Sequence, residues 1–221
     1  MVDKGPLEQA RGLFRSLWHK DASAGPQGIT GQRFVVVDTE TTGLEPIRDR
    51  ILSLGILPLQ NGRIRVGEGQ EWFLSQEVFD HRSVPIHGIL KEGPHARIPE
   101  KEALLAFRES IDGAILVGHH VGFDREMLQA ACFRWGLPRI TNPFLDTELL
   151  YRQTRIKSPL LKRRDRYTLD DLAAEFNLSA KDRHTALGDA HITALAFLHL
   201  IPMLRAKGIF TLPQLLKVGR I

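Results

Sequence analysis

Arg33-Phe-Val-Val-Val-Asp38-Thr-Glu40-Thr-Thr-Gly43-Leu44 is the stretch whose reading decides the fold. Residues 34–37 form a β-branched, apolar run that ends in a Thr/Gly turn, the pattern of a buried strand. Residues two apart on a strand project to the same face, so Asp38 and Glu40 leave the sheet side by side. Two adjacent carboxylates at the end of a hydrophobic strand repel each other and lose hydration, and a cation between them relieves both costs. The stretch predicts a buried strand that ends in a metal site.

Outward from this strand, residues 51–59 read as a second strand, Asn61-Gly62 as a tight hairpin turn and 64–74 as a third strand. A loop region with Pro85, Pro94 and Pro99 leads to a helix over 100–111, a strand over 114–118 and a helix over 123–135. A short strand at 144–146 and helices over 169–176 and 185–200 follow. A hairpin meander and then alternating strands and helices predict an α/β fold, a mixed sheet flanked by helices. Upstream, Pro6, Leu7, Ala10, Phe14, Leu17 and Trp18 mark an amphipathic helix, expected to pack on its own domain, with recruitment of a partner as the alternative. Glycines 25, 28 and 31 with Pro26 make 22–31 a linker. The expected division is therefore an N-terminal helix and linker (1–31), a main domain (32–205) and a short tail (206–221), apolar enough around Phe210 and Leu212 to dock.

A chain of 221 residues can bury one substantial core and is short for two independent domains. A net charge of +4 favours polyanionic partners such as nucleic acid, a weak indication by itself. Cys132 is the single cysteine, which excludes an internal disulfide and a thiolate metal cage, and its neighbours Ala130, Ala131 and Phe133 suit a buried thiol. The first residues carry no apolar signal segment, and no stretch reads as long enough to span a bilayer, so the expected location is the cytoplasm with no membrane partner.

Three further segments place acids or histidines at unusual positions. In Gly118-His-His-Val-Gly-Phe-Asp124, the acid heads a helical stripe continued by Met127, Leu128, Ala131 and Trp135; it serves either as an N-terminal cap or as a site residue. In His184-Thr-Ala-Leu-Gly-Asp189, the acid shares a stripe with Ile192, Ala196 and Leu200, a face expected to be buried. Five residues turn a helix by roughly 140°, so His184 belongs on the loop entering that helix. His191 and His199 read as surface or packing residues. Asp146 ends the apolar run Phe144-Leu145 and suits a supporting hydrogen-bond acceptor or a helix cap. Carboxylates without cysteine suit Mg²⁺ or Mn²⁺, used in pairs roughly 3.5–4 Å apart on a phosphodiester. A nearby histidine can take a proton from an attacking water at neutral pH. No phosphate loop, His-Glu-x-x-His helix or Gly-x-Ser-x-Gly elbow competes.

Taken together, Asp38-Thr-Glu40-Thr-Thr-Gly, Gly-His-His-Val-Gly-Phe-Asp124, and His184 followed by Asp189 resemble the three motifs of the DEDDh (DnaQ-like) 3′–5′ exonucleases, a family that includes the proofreading epsilon subunit of bacterial DNA polymerase III. The resemblance covers roughly residues 33–200. It implies a ribonuclease H-like fold with a mixed five-stranded sheet. It also implies two divalent cations, Mg²⁺ or Mn²⁺, held by Asp38, Glu40, Asp124 and Asp189, with His184 as general base. The turn from Thr41 through Gly43 to Leu44 corresponds to the family's grip on the terminal nucleotide. Ile86-His87-Gly88-Ile89 corresponds to a segment near the bound 3′ end, which makes His87 a substrate contact. His120 replaces the usual asparagine near the substrate path. Asp146 matches the supporting acid of the fifth strand.

The implied activity is hydrolysis of the terminal phosphodiester with release of nucleoside 5′-monophosphates. Single-stranded DNA is favoured, with a DNA polymerase subunit as a further partner. RNA trimming and a non-catalytic nucleic-acid or polymerase-binding module are the alternatives. Arg152, Arg155, Lys157, Lys162, Arg163, Arg164 and Arg166 form a basic run that either tracks phosphates or is a solvated surface. Trp72 and Trp135 are expected in the core.

Overall fold

A computed structural model describes residues 28–155 and 166–221. The amphipathic helix expected near residues 6–18 and most of the basic run lie outside the described residues.

The sheet is built on β1 (Arg33–Thr41), whose Phe-Val-Val-Val run is buried. β2 (Ile51–Gln60) returns antiparallel to it, and Asn61 (φ 52°) with Gly62 (φ 69°) supplies the left-handed pair that a two-residue hairpin turn requires. The turn leads into a two-residue strand, β3 (Arg63–Ile64), paired with β2. β4 (Gln70–Ser75) is antiparallel to β2, and β5 (Arg97–Pro99) runs parallel to β4 at the edge. On the other side, β6 (Ile115–Gly118) lies parallel to β1 and β7 (Phe144–Asp146) parallel to β6. The order is β5-β4-β2-β1-β6-β7.

The mixed α/β sheet is as expected, but among the described residues it has seven strands instead of five. The strand anticipated over 64–74 divides into β3 and β4, because a 3₁₀ turn at Val66–Glu68 interrupts it. β5 escapes the pattern because it is three residues long and ends in Pro99, tolerated at an edge.

Helices cover both faces: α1 (Val84–His87), α2 (Glu100–Ser110), α3 (Gly122–Arg134), α4 (Thr147–Thr154), α5 (Leu169–Glu175), α6 (Ala186–Ala206) and α7 (Leu212–Gly219). Alternation along β1 divides the core. Phe34 and Val36 join Ala194, Phe197 and Leu200 of α6, with the Phe34 and Phe197 rings edge-on at 5.1 Å. Val35 and Val37 join Leu104 and Phe107 of α2 and Met127 and Leu128 of α3. Cys132 is buried there as a free thiol.

Other differences from expectation have local causes. α6 continues past Leu200 to Ala206 and, at 21 residues, is long and apolar enough by composition to cross a membrane, contrary to the reading that no segment is. Its Phe197, Leu200, Ile201 and Leu204 are wholly buried against the sheet and α4, so the apolarity is that of a central core helix. Ile29, read as linker, is fully buried, and Gly28 bridges Thr211. The tail forms α7, opened by a capping box between Thr211 and Gln214, with Leu215 buried. Arg220 then bridges Leu145 at the free edge of β7. Trp135 is half-exposed instead of buried, and its indole N–H donates to Glu100 Oε2 at 2.7 Å. Trp72 packs partly buried against the core, as expected.

Candidate metal centre and active site

Asp38 and Glu40 sit on the α6 side of β1, in phase with Phe34 and Val36. Asp38 is in register with Gly55 of β2, and Gly55 with Glu71 of β4. A Cβ at Gly55 would lie 2.4 Å from the carbonyl carbon of Ala186, so this glycine lets the first turn of α6 rest on the sheet. The helix is started by Thr185, whose Oγ1 accepts from the Gly188 N–H at 3.1 Å. Asp189 follows in the first turn. One carboxylate oxygen from each of Asp38, Glu40 and Asp189 then lies within 4.8 Å of the others.

Asp124 reaches the site from α3. Thr39, pointing away from its two acidic neighbours, donates from Oγ1 to Asp124 Oδ1 at 2.7 Å. Asp124 is buried and lies outside the close three-acid group, yet its charge still raises the pKa of Asp38. Asp146 caps one helix and accepts from the backbone ahead of another. Its Oδ1 accepts from the Glu148 N–H at 2.8 Å and caps α4, a helix the sequence reading missed. Its Oδ2 accepts from the Val121 N–H at 3.0 Å, fixing the entry to the helix that carries Asp124.

The electrostatics are those of acids short of counter-charge. Burial, then the charges of Asp124, Asp189 and Glu40, push Asp38 well above the carboxylate range. Burial, Asp189 and Asp124 raise Glu40 to about 7. Burial raises Asp124 to about 6 against the opposing hydrogen bond from Thr39. Convergent oxygen donors, with the pKa values of Asp38, Glu40 and Asp124 raised, fit a hard divalent cation.

The loop before α6 carries the remaining chemistry. His184 lies in it as expected, exposed, with a left-handed backbone (φ 65°), and its N–H donates to Asp189 Oδ1 at 3.3 Å. Gly188 permits this: a Cβ there would fall 1.9 Å from the Asp182 carbonyl oxygen. Sequence reasoning missed Arg183, which donates from Nη1 to Asp189 Oδ2 and from Nε to Asp170 Oδ1 at 2.6 Å. The available signal was a cation one residue from the candidate base and six from a candidate ligand.

The turn after β1 is a built structure. Thr41 Oγ1 donates to the Gly43 carbonyl at 2.8 Å, and Asp49 accepts from Thr42 Oγ1 and the Glu45 N–H, each at 2.8 Å. A Cβ on Gly43 would meet the Asp49 carboxylate at 2.5 Å. Leu44, at the tip, is 80% exposed. His87 is buried; its Nδ1 accepts from the Ile89 N–H at 2.9 Å, which leaves the proton on Nε2, and Nε2 has no hydrogen-bond partner among the described residues. His120 has a left-handed backbone (φ 53°) and pairs with Glu148 at 3.2 Å, beside Arg166. Neither histidine hydrogen-bonds to the acid group among the described residues. His191 is exposed, and His199 stacks on Phe176 at 5.0 Å.

A mixed sheet with acids gathered at the end of its central strand and at the starts of two flanking helices defines a ribonuclease H-like nuclease. Residues 35–197 match the family model RNase_T, described as "Exonuclease". The chain belongs to this exonuclease family. It is an exonuclease domain homologous to DnaQ-type 3′–5′ exonucleases. It is 34% identical over 196 residues to a DNA polymerase III subunit epsilon-like protein of Rhodobacter capsulatus, covering 85% of this chain and 27% of that protein. It is 31% identical over 173 residues to the PolC-type DNA polymerase III of Pediococcus pentosaceus, covering 78% of this chain and 12% of the polymerase. The chain thus spans a small part of the curated relatives it matches.

Among solved structures, Escherichia coli Exonuclease I in complex with a dT13 oligonucleotide superposes with a TM-score of 0.67 at 17% identity, covering 80% of this chain and 43% of that one. Exonuclease X in complex with 5′ overhanging duplex DNA gives 0.62 at 19% identity, covering 84% of this chain and 98% of that one.

Proposed function

We propose that this chain removes nucleoside 5′-monophosphates from the 3′ ends of single-stranded DNA, using two divalent cations, Mg²⁺ or Mn²⁺. The observation that carries this reading is the convergence of Asp38, Glu40 and Asp189, with buried Asp124 beside them. These four acids would hold the cations, which when bound supply charge stabilisation for the attacking and departing oxygens. Bare carboxylates repel phosphate, so the cluster has no use on a nucleic acid without cations.

The other residues have distinct roles. His184, exposed beside Asp189, takes the proton of the attacking water as general base. Leu44, on a turn braced by Thr41, Gly43 and Asp49, offers an apolar surface to the terminal base. The buried Nε2–H of His87, unpaired among the described residues, is a donor that suits a substrate oxygen. His120 lines the substrate path, where its pairing with Glu148 fixes its place. Asp146 positions α3 and hence Asp124. Exonuclease I bound to an oligonucleotide, and polymerase relatives, support DNA as substrate and a polymerase as a partner.

The test incubates 3′-ended DNA and RNA oligonucleotides of one sequence with Mg²⁺ or Mn²⁺. Mononucleotide release from DNA, lost in Asp38→Asn, is expected. Release that survives Asp38→Asn would sink the reading, and faster release from RNA would reassign the substrate.

A further inference from the structure

Four buried or half-buried acids need positive charge even when no metal is bound, and Arg183 supplies it. Its side chain is 15% exposed and bridges two helices. Nε and Nη2 donate to the two oxygens of Asp170 on α5, at 2.6 and 3.3 Å, while Nη1 donates to Asp189 Oδ2 on α6. Both oxygens of Asp189 are therefore engaged, Oδ2 by Arg183 and Oδ1 by the His184 N–H. The guanidinium also lies near enough to Asp38 and Glu40 for its charge to oppose the rise in their pKa values.

We propose that Arg183 is a resident counter-cation of the metal centre: it holds Asp189 in the metal-free protein, yields that carboxylate to an incoming divalent cation, and thereby sets the affinity of the site for metal. The inference rests on the metal-centre reading above. Asp170 makes the exchange feasible. Arginine presents a rigid fork of donors, and two of the bonds in this fork are made to Asp170 alone. When Asp189 turns to a cation, the guanidinium keeps a carboxylate partner instead of being left buried and bare, the outcome that would be costly. The position is also economical for catalysis: the loop held by this fork carries His184. Arg183 is thus a positioning residue whose competition keeps Asp189 ordered and the acids compact until metal arrives.

The experiment measures Mn²⁺ binding to the full chain without nucleic acid, by calorimetry, together with melting temperature with chelator and with saturating Mn²⁺. Removing a charge-assisted bond at Asp189 and a like charge beside the metal should tighten Mn²⁺ binding roughly tenfold in Arg183→Gln. The same variant should melt below the parent in chelator, and the gap should narrow at saturating Mn²⁺. Asp170→Asn supplies the opposite sign: it leaves Arg183 more dependent on Asp189, so Mn²⁺ binds more weakly. Arg183→Gln that binds Mn²⁺ no tighter, or melts lower by the same amount in both conditions, marks a purely structural arginine and overturns the proposal. Should Arg183→Gln not fold, an Asp170→Asn affinity equal to or tighter than the parent overturns it equally. A parent chain that binds no Mn²⁺ would instead overturn the metal-centre reading itself.

Discussion

His184 shows how much a single residue's value depends on its backbone. A non-glycine residue at φ 65° is held in a sparsely populated region, at a cost of order 1–3 kcal/mol, by the loop around it. Here the hold is the His184 N–H on Asp189 and the neighbouring Arg183 fork. If the imidazole is the general base, His184→Ala should lower kcat by about 10²–10⁴-fold while Mn²⁺ affinity stays near the parent's, because its ring is not among the acids that gather. Single-turnover kinetics and calorimetry on the same preparation check both halves. A loss of metal binding would instead make the histidine a ligand.

At the scale of elements, two glycines decide where the third motif sits. Gly55 lets α6 lie on β2, and Gly188 lets the loop of Asp182 fold back on the helix. In Gly188→Ala the added carbon would meet backbone, which cannot swing aside as a side chain would. The expected result is roughly 1–3 kcal/mol of lost stability and a marked fall in activity, as Arg183 and His184 shift together. Denaturant titration and exonuclease assay check it; unchanged activity would mean that the loop relaxes without moving His184. Neither glycine announced itself in the sequence, because a close backbone approach leaves no periodic pattern. The helices α4 and α7 were missed for a related reason. Each has eight residues, too few for amphipathic spacing to stand out, and their start signals are short: Asp146 for α4 and the Thr211–Gln214 capping box for α7.

For the whole molecule, the raised carboxylates couple stability to pH and, on the proposed metal-centre reading, to metal. In the metal-free protein Glu40 shifts from 4.5 to about 7, and Asp124 from 3.8 to about 6. Between the unfolded and folded values the native state holds protons that the unfolded chain has released. The contribution of these groups to stability is therefore complete below about pH 4 and is lost as pH rises towards 7. Burial works the other way on His87, His119 and His199, whose lowered pKa values favour the folded state as pH rises towards 6.5. The acids are isolated by taking the difference made by Mn²⁺. Metal binds the deprotonated carboxylates, so its stabilising effect should grow from pH 5 to pH 8. Melting curves with chelator and with saturating Mn²⁺ measure that increment, and an increment independent of pH would refute the prediction.

The strand under Asp38 and Glu40 was legible in the sequence because a buried strand has a period of two and a composition of its own, and two acids at its end break that pattern visibly. Asp124 and Asp189 were legible because each is a charge at the head of an apolar helical stripe. The order and spacing of these motifs carried the family. Tertiary structure alone decided that Asp38, Glu40 and Asp189 converge, that Arg183 occupies the space beside them, and that the His87 donor is unpaired among the described residues. Those facts depend on close approaches between segments far apart in the chain, at Gly55 and Gly188 above all. Periodicity reports which face of an element is buried, and the distance at which two such faces meet is set by packing.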